Sequence, residues 1–336
     1  MGKADIAVKN WLNDRERFAD LFNGTVFGGK QVVLPEELED MDRETDIIIT
    51  DKDRKERGAQ RYRDLVKRWN HEILLAVLAC EIQDKTHYAM PVRNMLQDSL
   101  TYKDQIRRLW RDRRCGKVSG RRGQERKGKA QGKTGHLSAE EYLSRFRKED
   151  RIYPVITLVF YYDVKKWDGA VELYDMFRLD ASLKKEILIK DYLPNYKINL
   201  LDAGSVEDVS RFRTDLQQVF GMLKYRGEKE KLQRYMQENR DYFGKVDVET
   251  YQALGAFLHS GKKLKEVVDS GEEEQIDMCK ALDDIYADGE KAGRTQEKLI
   301  IITRMIKEGM SASVIRKCTE ATDQEIEQAR NEMKSK

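Results

Sequence analysis

Two carboxylates stand where a chain seldom leaves them uncompensated: Asp64 in YRDLVK and Glu81 in CEIQDK, both inside apolar, β-branched surroundings. A buried carboxylate needs a cation or several hydrogen bonds. If Asn70–Ile73 holds the turn of a hairpin, antiparallel pairing centred near residues 72 and 73 brings position 64 opposite position 81. The two side chains and the Ile82 carbonyl would then offer hard oxygens to one ion. Mg2+ suits such a set, with Mn2+ as a substitute, because it keeps positions for water and phosphate. An ion held there would activate water and stabilise charge on a phosphodiester. Gln83 lies two residues beyond Glu81 and so shares its strand face. The plainer alternative pairs Asp64 with Arg61 or Arg63 and leaves Glu81 to end its strand; two carboxylates do not decide between these readings.

Other residues could extend the site. Asp46, in TDIII, places an acid in another strand, and Asp5 and Asp20 place acids in the opening helix, with exposed turns as the simpler account. Arg93, in MPVR, could grip a phosphate bidentately or form a salt bridge with Asp84 or Asp98. Tyr102, Trp110 and Trp167 could stack on bases, but they sit in apolar patterns typical of core. The four cysteines are too scattered for a zinc site and read as free thiols; His71 and His87 have no partner at metal-ligand spacing.

The elements that must hold these residues follow from periodicity. An amphipathic helix opens near Asp5, read as its N-cap, with Val8, Trp11, Leu12, Phe18, Ala19 and Phe22 on one face. TDIIIT, YRDLVKRW and ILLAVLACEIQ read as three consecutive strands. A helix after Pro91 carries Val92, Met95, Leu96, Tyr102, Ile106, Leu109 and Trp110, and YPVITLVFYY returns as a strand covered on both faces. The order is αβββαβ, a mixed α/β class. Beyond about Leu183 the chain reads as helical, including VSRFRTDLQQVFGMLKY, and its end as a helix stopped near Gly309 followed by two short helices opened by Ser311 or Ser313 and by Thr322. That tail suits packing, oligomerisation or a helix-turn-helix.

Charge divides the 336 residues unevenly. A net charge of +3 conceals Lys103–Lys133, with 13 basic and 3 acidic residues, and Gly271–Glu290, with 8 acidic and 1 basic. RDRRCGKVSGRRGQERKGKAQGKTG has six glycines and no aromatic residue, so it reads as a mobile insertion at 111–136 that could track phosphates through Arg111, Arg113, Arg114, Lys117, Arg121, Arg122, Arg126, Lys127 and Lys129. The acidic stretch could mask it. No apolar run reaches membrane-spanning length and residues 1–30 show no secretory signal, so a cytoplasmic protein is expected. The expected organisation is a first domain over 1–235, a helical acidic region over 236–290 and a helical tail over 291–336.

Taken together, YRDLVK, EIQDKTHYAMPVR and YPVITLVFYYDVKKWDGAVELYDMF resemble the recombination-promoting nuclease (Rpn), or YhgA-like putative transposase, family of PD-(D/E)xK nucleases, over residues 4–235. The tail KEGMSASVIRKCTEATDQEIEQA resembles tails of the same family. The resemblance implies a restriction-endonuclease-like core, an Mg2+-dependent endonuclease acting on DNA with low sequence specificity, and links to recombination, mobile elements or phage defence. It gives Asp64 and Glu81 the metal-ligand roles and puts Gln83 where the general pattern has lysine. Glutamine brings no charge to the scissile phosphate, so the metal would have to supply more of the stabilisation, or Lys85 or Lys9 the missing charge, with ordinary solvation of both lysines as the plainer account.

Two rival functions accompany this reading. Strand transfer would need an acidic triad, for which Asp46 could join Asp64 and Glu81; a DNA-binding protein that keeps the fold without turnover needs none. A homodimer would bring two sites to the two strands, and an inhibitory protein partner would hold activity off.

Overall fold

A computed structural model describes residues 3–41, 44–50, 56–71, 73–114, 137–178, 191–258 and 275–334. These fall into two compact units, one within Met1–Asn239 and Gln252–Gly261, the other within Arg240–Tyr251 and Lys262–Lys336.

The first unit is α/β. Its opening segment forms two helices, α1 (Lys3–Asn13) and α2 (Arg15–Thr25). The break comes from Asp14, whose carboxylate accepts the Glu16 and Arg17 amides and caps a second helix. Asp5 lies in the first turn of α1 and is not its N-cap. A five-stranded sheet follows in the order β1 (Leu38–Asp40), β4 (Leu65–His71), β5 (Ile73–Gln83), β6 (Val155–Tyr161), β7 (Asn199–Asp202). TDIIIT does not enter it. That segment is β2 (Glu44–Thr50), which pairs with β3 (Glu56–Tyr62) as a separate two-stranded sheet. Its place beside β4 is taken by the short β1, through Leu38↔Trp69 to Asp40↔Lys67.

The β4–β5 hairpin runs Leu65↔Cys80 to Trp69↔Ala76 and shifts by one residue at Trp69/Asn70. The first part is the register that sets position 64 against position 81. Strands β5 and β6 are parallel, so the chain must cross over between them. Helix α3 (Met90–Arg114), with Pro91 in its first turn, makes that crossing, followed by α4 (Ala139–Ser144). One sheet face, with Val77, Ala79, Glu81, Thr157 and Val159, looks toward α3. Leu78, Cys80, Ile82 and Phe160 alternate onto the other face. There Phe160 meets Phe220 and Phe257, and Phe257 meets Trp11 of α1 at a ring separation of 5.5 Å. Residues 157–161 of β6 are all buried, as a strand covered on both faces requires.

The segment after Leu183 is not uniformly helical. Asn199–Asp202 is a strand parallel to β6, and Phe212 falls outside the helix Leu216–Tyr225. In the second unit, helix Met278–Lys307 ends before Gly309, whose φ of 75° turns the chain into helices Ala312–Thr319 and Asp323–Lys334. Ile302, Ile315, Ala321, Ile326 and Ala329 form their core. Among the described residues no helix is long and apolar enough to cross a membrane.

Candidate functional site

Arg63 and Asp64 lie between β3 and β4, outside strand geometry, so strict alternation does not hold them. Their side chains part. Asp64 Oδ1 pairs with Lys9 Nζ of α1, both residues being buried, and Oδ2 accepts the Ile82 amide at 2.8 Å. Arg63 reaches Asp98 of α3 at 2.7 Å and Thr157 of β6 at 2.8 Å. Arg63 is therefore not the partner of Asp64; the cation there comes from a helix more than fifty residues upstream.

Glu81 does not end its strand. It is fully buried within the central strand β5, with Arg93 Nη2 of α3 3.2 Å from Oε2. Arg93 thus takes Glu81 rather than Asp84 or Asp98. The Gln97 amide lies near enough to favour the anion, but no hydrogen bond of ordinary geometry reaches Glu81 Oε1. Burial, then the charge of Asp64, pushes the Glu81 carboxyl up to about 7, against the pull of Arg93, Arg63 and Gln97. Burial and the same two carboxylates hold the Cys80 thiol well above its ordinary value.

Further buried polar atoms lie on α3 and just before it; His87 and Asp98 are among the residues named from the sequence, Asn94 and Gln97 are not. Asn94 is fully buried with neither amide atom bonded, and Gln97 Oε1 and His87 Nδ1 are also buried without partners. Burial and the Arg93 guanidinium lower the His87 pKa. Asp98 accepts Arg63, Thr157 and Tyr196 together, tying α3 to the sheet. From the sequence Asp98 was a candidate partner of Arg93 alone; Thr157, the polar interruption of an apolar run, is the signal that could have pointed to the rest of the network.

Gln83 Nε2 donates to the Ile82 carbonyl at 2.9 Å, using one of its two lone pairs. Lys85 pairs with Asp163 at 3.1 Å, so Lys9 is the lysine found on Asp64. Asp5 accepts the Tyr162 hydroxyl at 3.4 Å. Asp20 anchors the fold, accepting the Arg213 and Thr214 amides. Asp46 stands on β2 opposite Gln60, and its side chain lies outside the described residues. Among the described residues no cluster of three or more His, Cys, Asp or Glu side chains could hold a metal.

The basic residues divide similarly. Arg113 is paired with Asp150 and half-buried, so it is a structural link and not a free phosphate contact. Arg111 is 69% exposed with Asp112 at 3.8 Å. The Arg114 side chain, together with Lys117, Arg121, Arg122, Arg126, Lys127 and Lys129, lies outside the described residues. Tyr102 accepts the Val155 amide and Trp167 packs on Tyr161, both structural roles. Cys80, Cys279 and Cys318 are free, and Cys115 lies outside the described residues. Comparison with family models, curated proteins and solved structures finds no match.

Proposed function

We propose that the chain is a metal-dependent endonuclease that hydrolyses DNA with low sequence specificity on a PD-(D/E)xK-type core, as the resemblance to recombination-promoting nucleases implies. The observation that carries the reading is Glu81: a fully buried carboxylate on the central strand, its pKa raised by burial and by the charge of Asp64, with no ordinary hydrogen bond to Oε1 among the described residues. Two neighbouring carboxylates, one with an oxygen that lacks an ordinary hydrogen bond among the described residues, offer a divalent cation hard oxygens beside Lys9 and Arg93. The αβββαβ order, with an antiparallel pair leading to a parallel one through a crossover helix, supports the same core.

Asp64, Glu81 and the second lone pair of the Ile82 carbonyl would hold Mg2+, or Mn2+ in its place. When bound, the ion supplies a Lewis acid and a water of lowered pKa. Lys9 fixes Asp64 and keeps a positive charge beside it, the contribution that Gln83 lacks. Gln83, folded onto the Ile82 carbonyl, keeps a neutral amide at the site rim. Arg93, with a side chain 31% exposed, spans from Glu81 toward solvent and can accept a phosphate on its remaining donors.

The test is cleavage of supercoiled plasmid in magnesium, manganese, calcium and chelator, beside folded Glu81→Gln and Asp64→Asn variants. Metal-dependent nicking that both variants lose is expected; a folded wild-type protein that cuts in no metal overturns the reading. One observation favours a second reading. Each carboxylate already has a cation of the chain beside it, Lys9 or Arg93, which suits a DNA-binding protein without turnover, or one released by a partner. Magnesium that raises the melting temperature of wild type but not of Glu81→Gln favours hydrolysis; DNA binding with no such shift favours the second reading.

A further inference from the structure

Away from the carboxylates, the C-terminal half of α3 and the segment around Ser144 and Arg145 enclose a groove of about 1040 Å³. Its lining is cationic. Lys103, Arg107 and Arg111 recur every fourth residue and form one exposed stripe of the helix, and Arg145 lines the groove from beyond α4, in a left-handed backbone conformation with φ of 57°. Lys103, Arg107 and Arg145 have no carboxylate partner among the described residues, and Arg111 has only its neighbour Asp112. The one acid in the lining, Asp104, is taken by Arg108 at 2.6 Å. A stripe of cations with so little carboxylate beside it among the described residues, in a concave surface, calls for an extended anion.

Aromatic side chains stand at the same place. Trp110 lines the groove and meets Tyr142 of α4 edge to face at 6.0 Å. Tyr142 is 69% exposed, so its ring face is open to a further planar group. Cations that follow a backbone, interleaved with rings, are the means by which proteins hold unpaired nucleic acid; a duplex keeps its bases stacked and offers such a ring nothing. Each four-residue step of the stripe rises about 6 Å, comparable to one phosphate step of an extended strand.

We infer that this groove binds a single-stranded segment of nucleic acid, with Lys103, Arg107, Arg111 and Arg145 on phosphates and Tyr142 and Trp110 against a base. The binding stands without the nuclease reading; only its use rests on that reading. Arg111 lies 18 residues beyond Arg93, or about five turns, so it returns to the same side of α3. Lys103, ten residues beyond Arg93, stands about 80° round the helix from it, so a nuclease acting on frayed or looped DNA would use the groove to hold a strand apart from the Arg93–Glu81 contact.

The experiment is fluorescence anisotropy of a labelled oligothymidylate and of a duplex of equal length with the full chain, in chelator so that no cleavage intervenes. Wild type is compared with Lys103→Ala/Arg107→Ala/Arg111→Ala and with Tyr142→Ala, all checked for unchanged melting. The expected results are tighter binding of the single strand, a salt slope lowered by about two in the triple variant, and at least a fivefold loss in Tyr142→Ala. Equal affinity for duplex, or an unchanged slope in the triple variant, overturns the inference. If the groove variants lose binding while wild type cuts nothing in any metal, the groove stands and the nuclease reading fails. If Glu81→Gln abolishes cleavage while the groove variants bind as wild type does, the reverse holds.

Discussion

At the scale of single residues, the site depends on which side chain meets which charge. The Glu81 carboxyl is raised to about 7 from an unfolded value of 4.5, so between these pH values the folded chain binds more protons than the unfolded one, and stability falls as pH rises through that window. In chelator, Glu81→Gln is expected to raise the melting temperature at pH 8 and to make little difference at pH 5, the gap reflecting on the order of 3 kcal/mol. Equal gains at both pH values would show that the carboxyl titrates normally. Lys9 makes a second test. Lys9→Met strands a buried Asp64 and should cost about 3–5 kcal/mol in urea unfolding, whereas Lys85→Ala, which removes a side chain 69% exposed, should leave the urea midpoint and any cleavage nearly unchanged. The acids were legible because Glu81 interrupts an apolar strand and Asp64 stands immediately before another. Their partners were not, because Lys9 and Arg93 arrive from helices that spacing alone cannot orient.

At the scale of elements, the β4–β5 register was legible from the position of the turn, while the place of β2 was not. TDIIIT has the composition of a strand, but composition does not say which sheet a strand joins; β1, only three residues long, carried too weak a signal to be seen. The strand Asn199–Asp202 was missed for the same reason. Helix α3 is held by a buried hub in which Asp98 accepts Arg63, Thr157 and Tyr196. Arg63→Leu leaves Asp98 short of a cation inside the protein, and is expected to cost about 3–5 kcal/mol and to loosen α3 with Arg93 on it. Hydrogen exchange along 90–114 would detect this as faster opening than in a Lys103→Ala control; equal protection would show that the hub does not anchor the helix.

At the scale of the whole molecule, two compact units predict two separable stabilities. Ile302→Asp puts a charge into the small core shared with Ile315 and Ile326, and calorimetry should show the C-terminal transition lost and the α/β one retained; a single cooperative loss would make the units one folding body. The parallel junction of β5 and β6 has a different consequence. Everything between these strands, residues 84–154, is one connection, and 115–136 lies inside it. Closure entropy grows only with the logarithm of length, so removing those residues changes the cost of joining the two strands by about 0.3 kcal/mol. As far as chain closure goes, the length of 115–136 can therefore be altered almost without penalty, so the basic charge it carries can change without altering how β5 and β6 are joined.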